Sequence, residues 1–144
     1  KSMLSSIVDA VSVALNDEFG DDYEIYSEEI EQGLKEPCFF ISVIDSSIQP
    51  YPGGRYLRRR QLCIQYFPVS ASRNRECEDA AVRMEQSLEC IVYDDGMIRG
   101  TDMSHEVHDG VMSFFVNYNM FIERIEDNTQ MESMLSGTVI KEVE

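Results

Sequence analysis

Apolar residues recur along this chain with two different periods, and the switches between them divide it into elements. Leu4, Ile7, Val8, Val11, Ala14, Leu15 and Phe19 fall three and four residues apart on one stripe, which predicts an amphipathic first helix. Gly20 followed by Asp21 and Asp22 ends it. A short extended piece, Tyr23–Tyr26, precedes an acidic stretch, Ser27–Glu36, that reads as a loop. Pro37 then introduces Cys38–Ile44, apolar on both faces apart from Ser42, the pattern of a central strand covered on both sides. Gln49–Gly54 is turn-rich, so this strand and the next, Arg55–Phe67, read as a hairpin with a long loop.

The period in Arg55–Phe67 is two. Leu62, Ile64 and Tyr66 share one face, and Gln61, Cys63 and Gln65 share the other. Arg60 and Arg58 continue the apolar face backwards, which predicts that the core stops short of them and that the hairpin protrudes as an arm. Pro68 ends the strand. Asn74 can cap a second helix carrying Cys77, Ala80, Ala81, Met84, Leu88 and Ile91 at helical spacing, with a charged outer side. Asp94-Asp95-Gly96 turns the chain into a short strand, Met97 to about Met103, and Asp109-Gly110 is a second turn. The last strand, Val111 to about Arg124, places Met112, Phe114, Val116, Tyr118, Met120 and Ile122 on one face. A short C-terminal helix through Met131, Met134 and Leu135 follows.

The predicted order is thus α-β-β-α-β-β with a short C-terminal helix. It describes an α+β fold, a mostly antiparallel sheet with two helices on one face and a protruding β-hairpin arm. Residues 3–135 are expected to form one domain, and 136–144 a loose tail. Gln61, Gln65, Asn117 and Asn119 are expected on the face opposite the helices.

Composition narrows the function classes. With 43% hydrophobic residues in 144, the chain is globular. No apolar run approaches the ~20 residues of a membrane-spanning helix, and no signal peptide is evident. Lys1 and Ser2 read as an appended dipeptide before a native start at Met3. A formal net charge of -15 argues against sequence-specific or general binding of nucleic acid, which requires a basic face. Cys38, Cys63, Cys77 and Cys90 form no C-x-x-C pair and sit among apolar neighbours, the pattern of buried free thiols in a reducing compartment.

Against that acidity, Arg55, Arg58, Arg59 and Arg60 stand out: a third of the twelve basic residues lie within six positions. Two readings are open. Glutamates of the same chain neutralise the arginines, or the strand docks on an acidic partner, which another copy of the chain would be. In the second reading Tyr56 and Leu57 are apolar anchors, and Glu28, Glu29, Glu31 and Glu36 offer the complementary surface.

Catalytic signals are thin. His105 and His108 are three residues apart, face opposite sides of a strand, and do not make H-E-x-x-H. No Gly-x-Ser-x-Gly elbow and no phosphate-binding loop occurs, and Asp21-Asp22 and Glu28-Glu29 lack EF-hand spacing. No catalytic residue, metal site or cofactor is expected.

Several pieces, taken in order, resemble the phage tail terminator proteins of siphophages and myophages, often found in prophages of Gram-positive bacteria. After the first helix come Ile25-Tyr26, Glu31-Gln32-Gly33-Leu34 and Pro37-Cys38-Phe39-Phe40-Ile41. The basic strand closing in Ile64-Gln65-Tyr66-Phe67 follows, then Asp109–Tyr118, and last Met131 with Met134-Leu135. The resemblance covers Met3 to about Leu135. It implies a structural virion protein that forms a six-fold ring on the tail tube, stops tube polymerisation and presents a surface to the head-tail connector or neck. It implies self, tube protein and neck protein as partners, assembly in the host cytoplasm, no membrane, and no cofactor. Two alternatives stay open: another connector or neck subunit, and an acidic inhibitor that mimics DNA.

Overall fold

The computed structural model describes residues 6–27, 34–94, 96–126 and 138–143. Its elements are α1 (Ser6–Phe19), β1 (Glu24–Tyr26), β2 (Cys38–Tyr51), β3 (Arg55–Phe67), α2 (Arg73–Ser87), β4 (Cys90–Tyr93), β5 (Gly96–His108), β6 (Val111–Glu126) and β7 (Thr138–Val143). The strands join in the order β1-β2-β3-β6-β5-β4, with β7 also on β6. β5 occupies the Val111–Tyr118 part of one edge of β6, and β7 takes the Phe121–Glu126 part.

The alternation in β3 is obeyed. Arg60, Leu62, Ile64 and Tyr66 are buried, while Gln61, Cys63, Gln65 and Phe67 are half-buried on the opposite face. β6 answers with buried Met112, Phe114, Val116, Tyr118, Met120 and Ile122. Both helices cover this face, with Ile7, Val11, Leu15 and Phe19 from α1 and Cys77, Ala80, Ala81 and Met84 from α2 in one core with the strands. Burying each such large aliphatic side chain contributes roughly 1.5–3 kcal/mol. The Asp109-Gly110 turn holds both residues at positive φ, 54° and 77°, the conformation that a two-residue hairpin between right-twisted strands requires.

Several expectations are corrected. The sheet is mixed, because β1 runs parallel to β2. Seven strands replace four. α2 ends at Ser87, and Ile91 belongs to β4: its spacing fits a helix, but Ile91 and Tyr93 also alternate as strand residues and pair with β5. Asn74 lies inside α2, whose N-cap position is Ser72 without a side-chain cap. β2 continues to Tyr51 through a bulge between Val43 and Asp45, so the hairpin turns at 52–54 rather than in a long loop. Its two-faced apolarity does not reflect cover on both sides: Phe40 is half-buried, and Val43 and Ile44 are exposed. Residues 138–143, expected to be loose, pair with β6. The predicted helix through Met131–Leu135 lies outside the described residues.

The arm is likewise replaced. β6 pairs with β3 from Tyr66 opposite Met112 to Arg55 opposite Glu123, while β2 pairs along its other edge to Tyr51. The arginine segment is therefore the distal end of a broad sheet, and the packed face reaches Arg60, 8% exposed.

At the junction of α2 and β4, the Gly100 N–H donates to the Glu89 carbonyl at 2.7 Å, and the Tyr118 hydroxyl donates to the Leu88 carbonyl at 2.7 Å. A Cβ at Gly100 would stand 2.6 Å from the Leu88 oxygen and 2.9 Å from Val116 Cγ2. Gly100→Ala is expected to destabilise the fold by about 1–3 kcal/mol and Tyr118→Phe by about 1 kcal/mol. Urea unfolding followed by circular dichroism measures both, since the chain has no tryptophan. Equal midpoints for wild type and Gly100→Ala would mean that the close approach is not a constraint.

Candidate functional site

β2 and β3 together, Cys38 to Phe67, carry four arginines and a single acid, Asp45. Strand alternation divides the arginines between two faces. Arg55 and Arg59 are exposed on the helix-free face with half-buried Leu57 between them, and Tyr56, Arg58 and Arg60 point to the helix side. No side chain of the four arginines makes an ion pair or hydrogen bond among the described residues, whereas Arg73 pairs with Glu36 at 3.9 Å, Arg83 with Glu18 at 2.9 Å and Arg99 with Glu89 at 3.2 Å. Intramolecular neutralisation, one of the two sequence readings, thus finds no support among the described residues. Glu28, Glu29 and Glu31 lie outside them.

Aromatic rings take the place of carboxylates. The Arg55 guanidinium lies 4.4 Å above the Phe121 ring, and Tyr51 meets the same ring edge-on at 5.3 Å. Arg60 lies 5.9 Å from the Tyr93 ring, and its buried Nε has no hydrogen-bond partner. A cation held on a ring keeps its donors free for a carboxylate, so this end of the sheet is equipped to receive an acidic group.

The helix-free face continues from Arg59 into amides, as expected. Gln61 stands opposite Asn117, and Asn117 Nδ2 donates to Asp102 at 3.1 Å. Half-buried Phe40, Cys63 and Phe115 lie among them, so the face is less polar than the sequence alternation alone implied. The cysteines depart from expectation in two positions: Cys38 and Cys77 are buried, but Cys63 is half-buried and Cys90 is exposed. Burial pushes the Cys38 thiol up to about 11, with Glu36 and Glu24 adding to the shift, the opposite of an activated nucleophile.

His105 Nε2 sits 3.1 Å from Glu78 and His108 Nε2 3.5 Å from Glu106. The two histidines thus turn to separate carboxylates. Among the described residues no group of three or more His, Cys, Asp or Glu is placed to hold a metal ion. Nor is any described helix long and apolar enough to cross a membrane.

The family model for phage tail terminator proteins matches residues 6–131. The chain belongs to the phage tail terminator family. No curated protein matches it at a significant level. The match runs from the first residue of α1 past the end of β6, so it takes in both helices and the whole arginine end. Members of this family are structural components of the phage tail, and the resemblance read from the ordered sequence pieces is thereby established at the family level.

Two features of this terminator-family chain were missed by sequence reasoning. One is an exposed groove of about 230 Å³ between α1 and β4, lined by Ala10, Val13, Ala14 and Val92 together with Asp17, Glu18 and Ser87. Val13 falls outside the core stripe of α1, and that was the available signal. The other is a polar clamp in a cleft of about 340 Å³ bounded by α1, α2 and β3. There the Tyr66 hydroxyl donates to Glu76, and the Ser70 and Val69 amides donate to the same carboxylate at 2.8 Å and 3.2 Å. Nothing in the local pattern marked Glu76 apart from its helical neighbours.

Burial by itself would raise the Glu76 carboxyl, but the hydrogen bonds from Tyr66, Ser70 and Val69 together outweigh it and hold the group below the usual carboxylate range. A depressed folded-state value means that the clamp's stability is present above about 4.3, the ordinary glutamate value, and is lost as pH falls through the lower folded value. Glu76→Gln is therefore expected to be less stable than wild type at pH 7, with the difference shrinking below about pH 4. Urea midpoints of both proteins at pH 7 and pH 3 test this. A difference that stays constant would mean that the charge of Glu76 does not matter.

Proposed function

We propose that this chain caps the end of the phage tail tube as a six-fold ring of its own copies. The cap stops tube polymerisation and forms the surface that joins the head-tail connector or neck. Family membership supports the terminator role, and the observation that carries the self-assembly part is the arginine end of the sheet, without an ion pair among the described residues, in a chain of net charge -15. A closed ring needs a heterologous contact, in which one patch meets a different patch on the neighbour. A cationic strand end on an acidic body supplies two such unlike patches. Arg55, Tyr56, Leu57, Arg58 and Arg59 are the contact residues on the cationic side, and buried Arg60 supports the strand from beneath. Glu28, Glu29 and Glu31 remain candidates for the acidic side.

The acidity of the rest of the chain suits a DNA conduit, because a lumen attractive to phosphate would retain the genome. It also makes assembly depend on local attraction overcoming net repulsion.

Tube protein polymerised with the chain is expected to give shorter tubes with ring density at one end. Without it, electron microscopy should show longer tubes with bare ends. Unchanged lengths and bare ends with the cognate tube protein would overturn the proposal. Because the Debye length falls from about 10 Å at 0.1 M salt to about 3 Å at 1 M, capping should weaken as salt rises. Capping that is indifferent to salt would remove the arginines from the mechanism.

A further inference from the structure

Helix α1, which borders the exposed groove, and the side chains of Arg55, Leu57 and Arg59 lie on opposite faces of the sheet. α1 packs on the helix face and shows solvent an outer stripe of Asp9, Val13 and Asp17, each four residues from the next. Val13 is 59% exposed, and it lines the groove together with Val92, 67% exposed. Neither Asp9 nor Asp17 has an ion-pair partner among the described residues, in contrast to Glu18 beside them, which holds Arg83. On the other side of the sheet, β3 shows solvent Arg55, Leu57 and Arg59.

These two stripes match in order and in length. Eight residues of α-helix advance about 12 Å, from Asp9 to Asp17. Four residues of β-strand advance about 13 Å, from Arg55 to Arg59. Each stripe is charge, apolar, charge, with opposite signs. Within one molecule the sheet separates them, so they can meet only between copies.

We infer that in the ring the Arg55–Leu57–Arg59 stripe of one copy seats on the Asp9–Val13–Asp17 stripe of its neighbour, with Leu57 against Val13 and Val92. This rests on the ring reading above and names its contact. The contact is front to back, hence heterologous, and the same step repeated about an axis closes a ring. Opposite charges at both ends set the register and oppose a shifted pairing, because sliding would bring an arginine onto the valines and strand an aspartate. The Phe121 ring beneath Arg55 holds that guanidinium in place, so less freedom is lost on docking.

The test is charge reversal with rescue, read as the fraction of capped tube ends and by cross-linking. Arg55→Glu with Arg59→Glu is expected to weaken ring formation by about tenfold or more, and Asp9→Lys with Asp17→Lys likewise. All four changes in one chain should restore most of the loss. These side chains are exposed, and circular dichroism of each variant verifies that it folds. If the combined variant is no better than either pair while wild type caps tubes, the contact is wrong and the terminator role stands. If wild type caps no tubes, the proposed function fails instead.

A second readout does not depend on tubes. Arg59→Lys supplies an amine, and carbodiimide treatment at rising protein concentration should join position 59 to Asp9 or Asp17 in mixed-isotope intermolecular peptides. Intermolecular links from position 59 only to other carboxylates of the chain, or none at any concentration, would overturn the inference.

Discussion

The antiparallel ladder between β3 and β6 is the constraint on which the rest of the molecule depends. It runs without a register shift from Tyr66 opposite Met112 to Arg55 opposite Glu123. Because side chains alternate strictly along both strands, one registration settles what lies in the core and what lies outside along the whole length. Leu62, Ile64, Tyr66, Phe114, Val116 and Tyr118 receive the helices on one side. A slip of one residue would expose all of these and bury the glutamines and asparagines. The register shifts lie in β2, between Val43 and Asp45, and in β5, between Thr101 and Ser104, both outside this ladder, so the flanking strands bend while the central pair stays regular.

The same ladder explains how a basic segment is tolerated in an acidic chain. β3 is held on both edges, so its backbone needs no further partner and its side chains are free to serve another purpose. On the helix side Arg60 is absorbed against Tyr93, with a packed face continuing through Met120 and Ile122, while Tyr56 and Arg58 stay half-buried. Those on the other side remain accessible, with Arg55 carried on an aromatic ring rather than a carboxylate. Elsewhere arginines are used in the ordinary way, as links between elements: Arg83 joins α2 to the end of α1 through Glu18 and the Phe19 ring. The contrast separates arginines that link elements of the monomer from arginines without an ion pair among the described residues.

Charge and shape thus divide the molecule into unlike sides. One carries the helices, with exposed acids on α1 and α2 and a groove of mixed polarity beside β4. The other is a bare sheet face of amides and half-buried aromatics that ends in arginines. A subunit with unlike faces is suited to head-to-tail assembly, whereas a self-complementary patch would favour a closed pair. Membership in the phage tail terminator family gives that asymmetry a setting, in the phage tail.

Much of this was legible in the amino-acid order. Periodicity in α1, the alternation in β3 and β6, and the Asp109-Gly110 turn are local, and local patterns are decided by backbone geometry and by which residues shun water. The clustering of four arginines, and the absence of catalytic or ligand-binding spacing, were equally readable because they are properties of order alone. What lay beyond reach came from contacts between segments distant in sequence. Ile91 fits a helix or a strand by its spacing, and only pairing with β5 made it a strand. Arg60 looked unburiable until β4 brought Tyr93 beneath it, and the expected arm became the end of a sheet because β6 is long enough to flank it. The exposed side of α1, with Val13 between two aspartates that have no ion pair among the described residues, gained meaning only when the fold put it across the sheet from Arg55 and Arg59. Sequence determined the elements and their amphipathic faces, since these follow from short-range sterics and hydrophobicity. Tertiary structure decided which charges were paired and which were left to face outward, because pairing is a matter of distance in space.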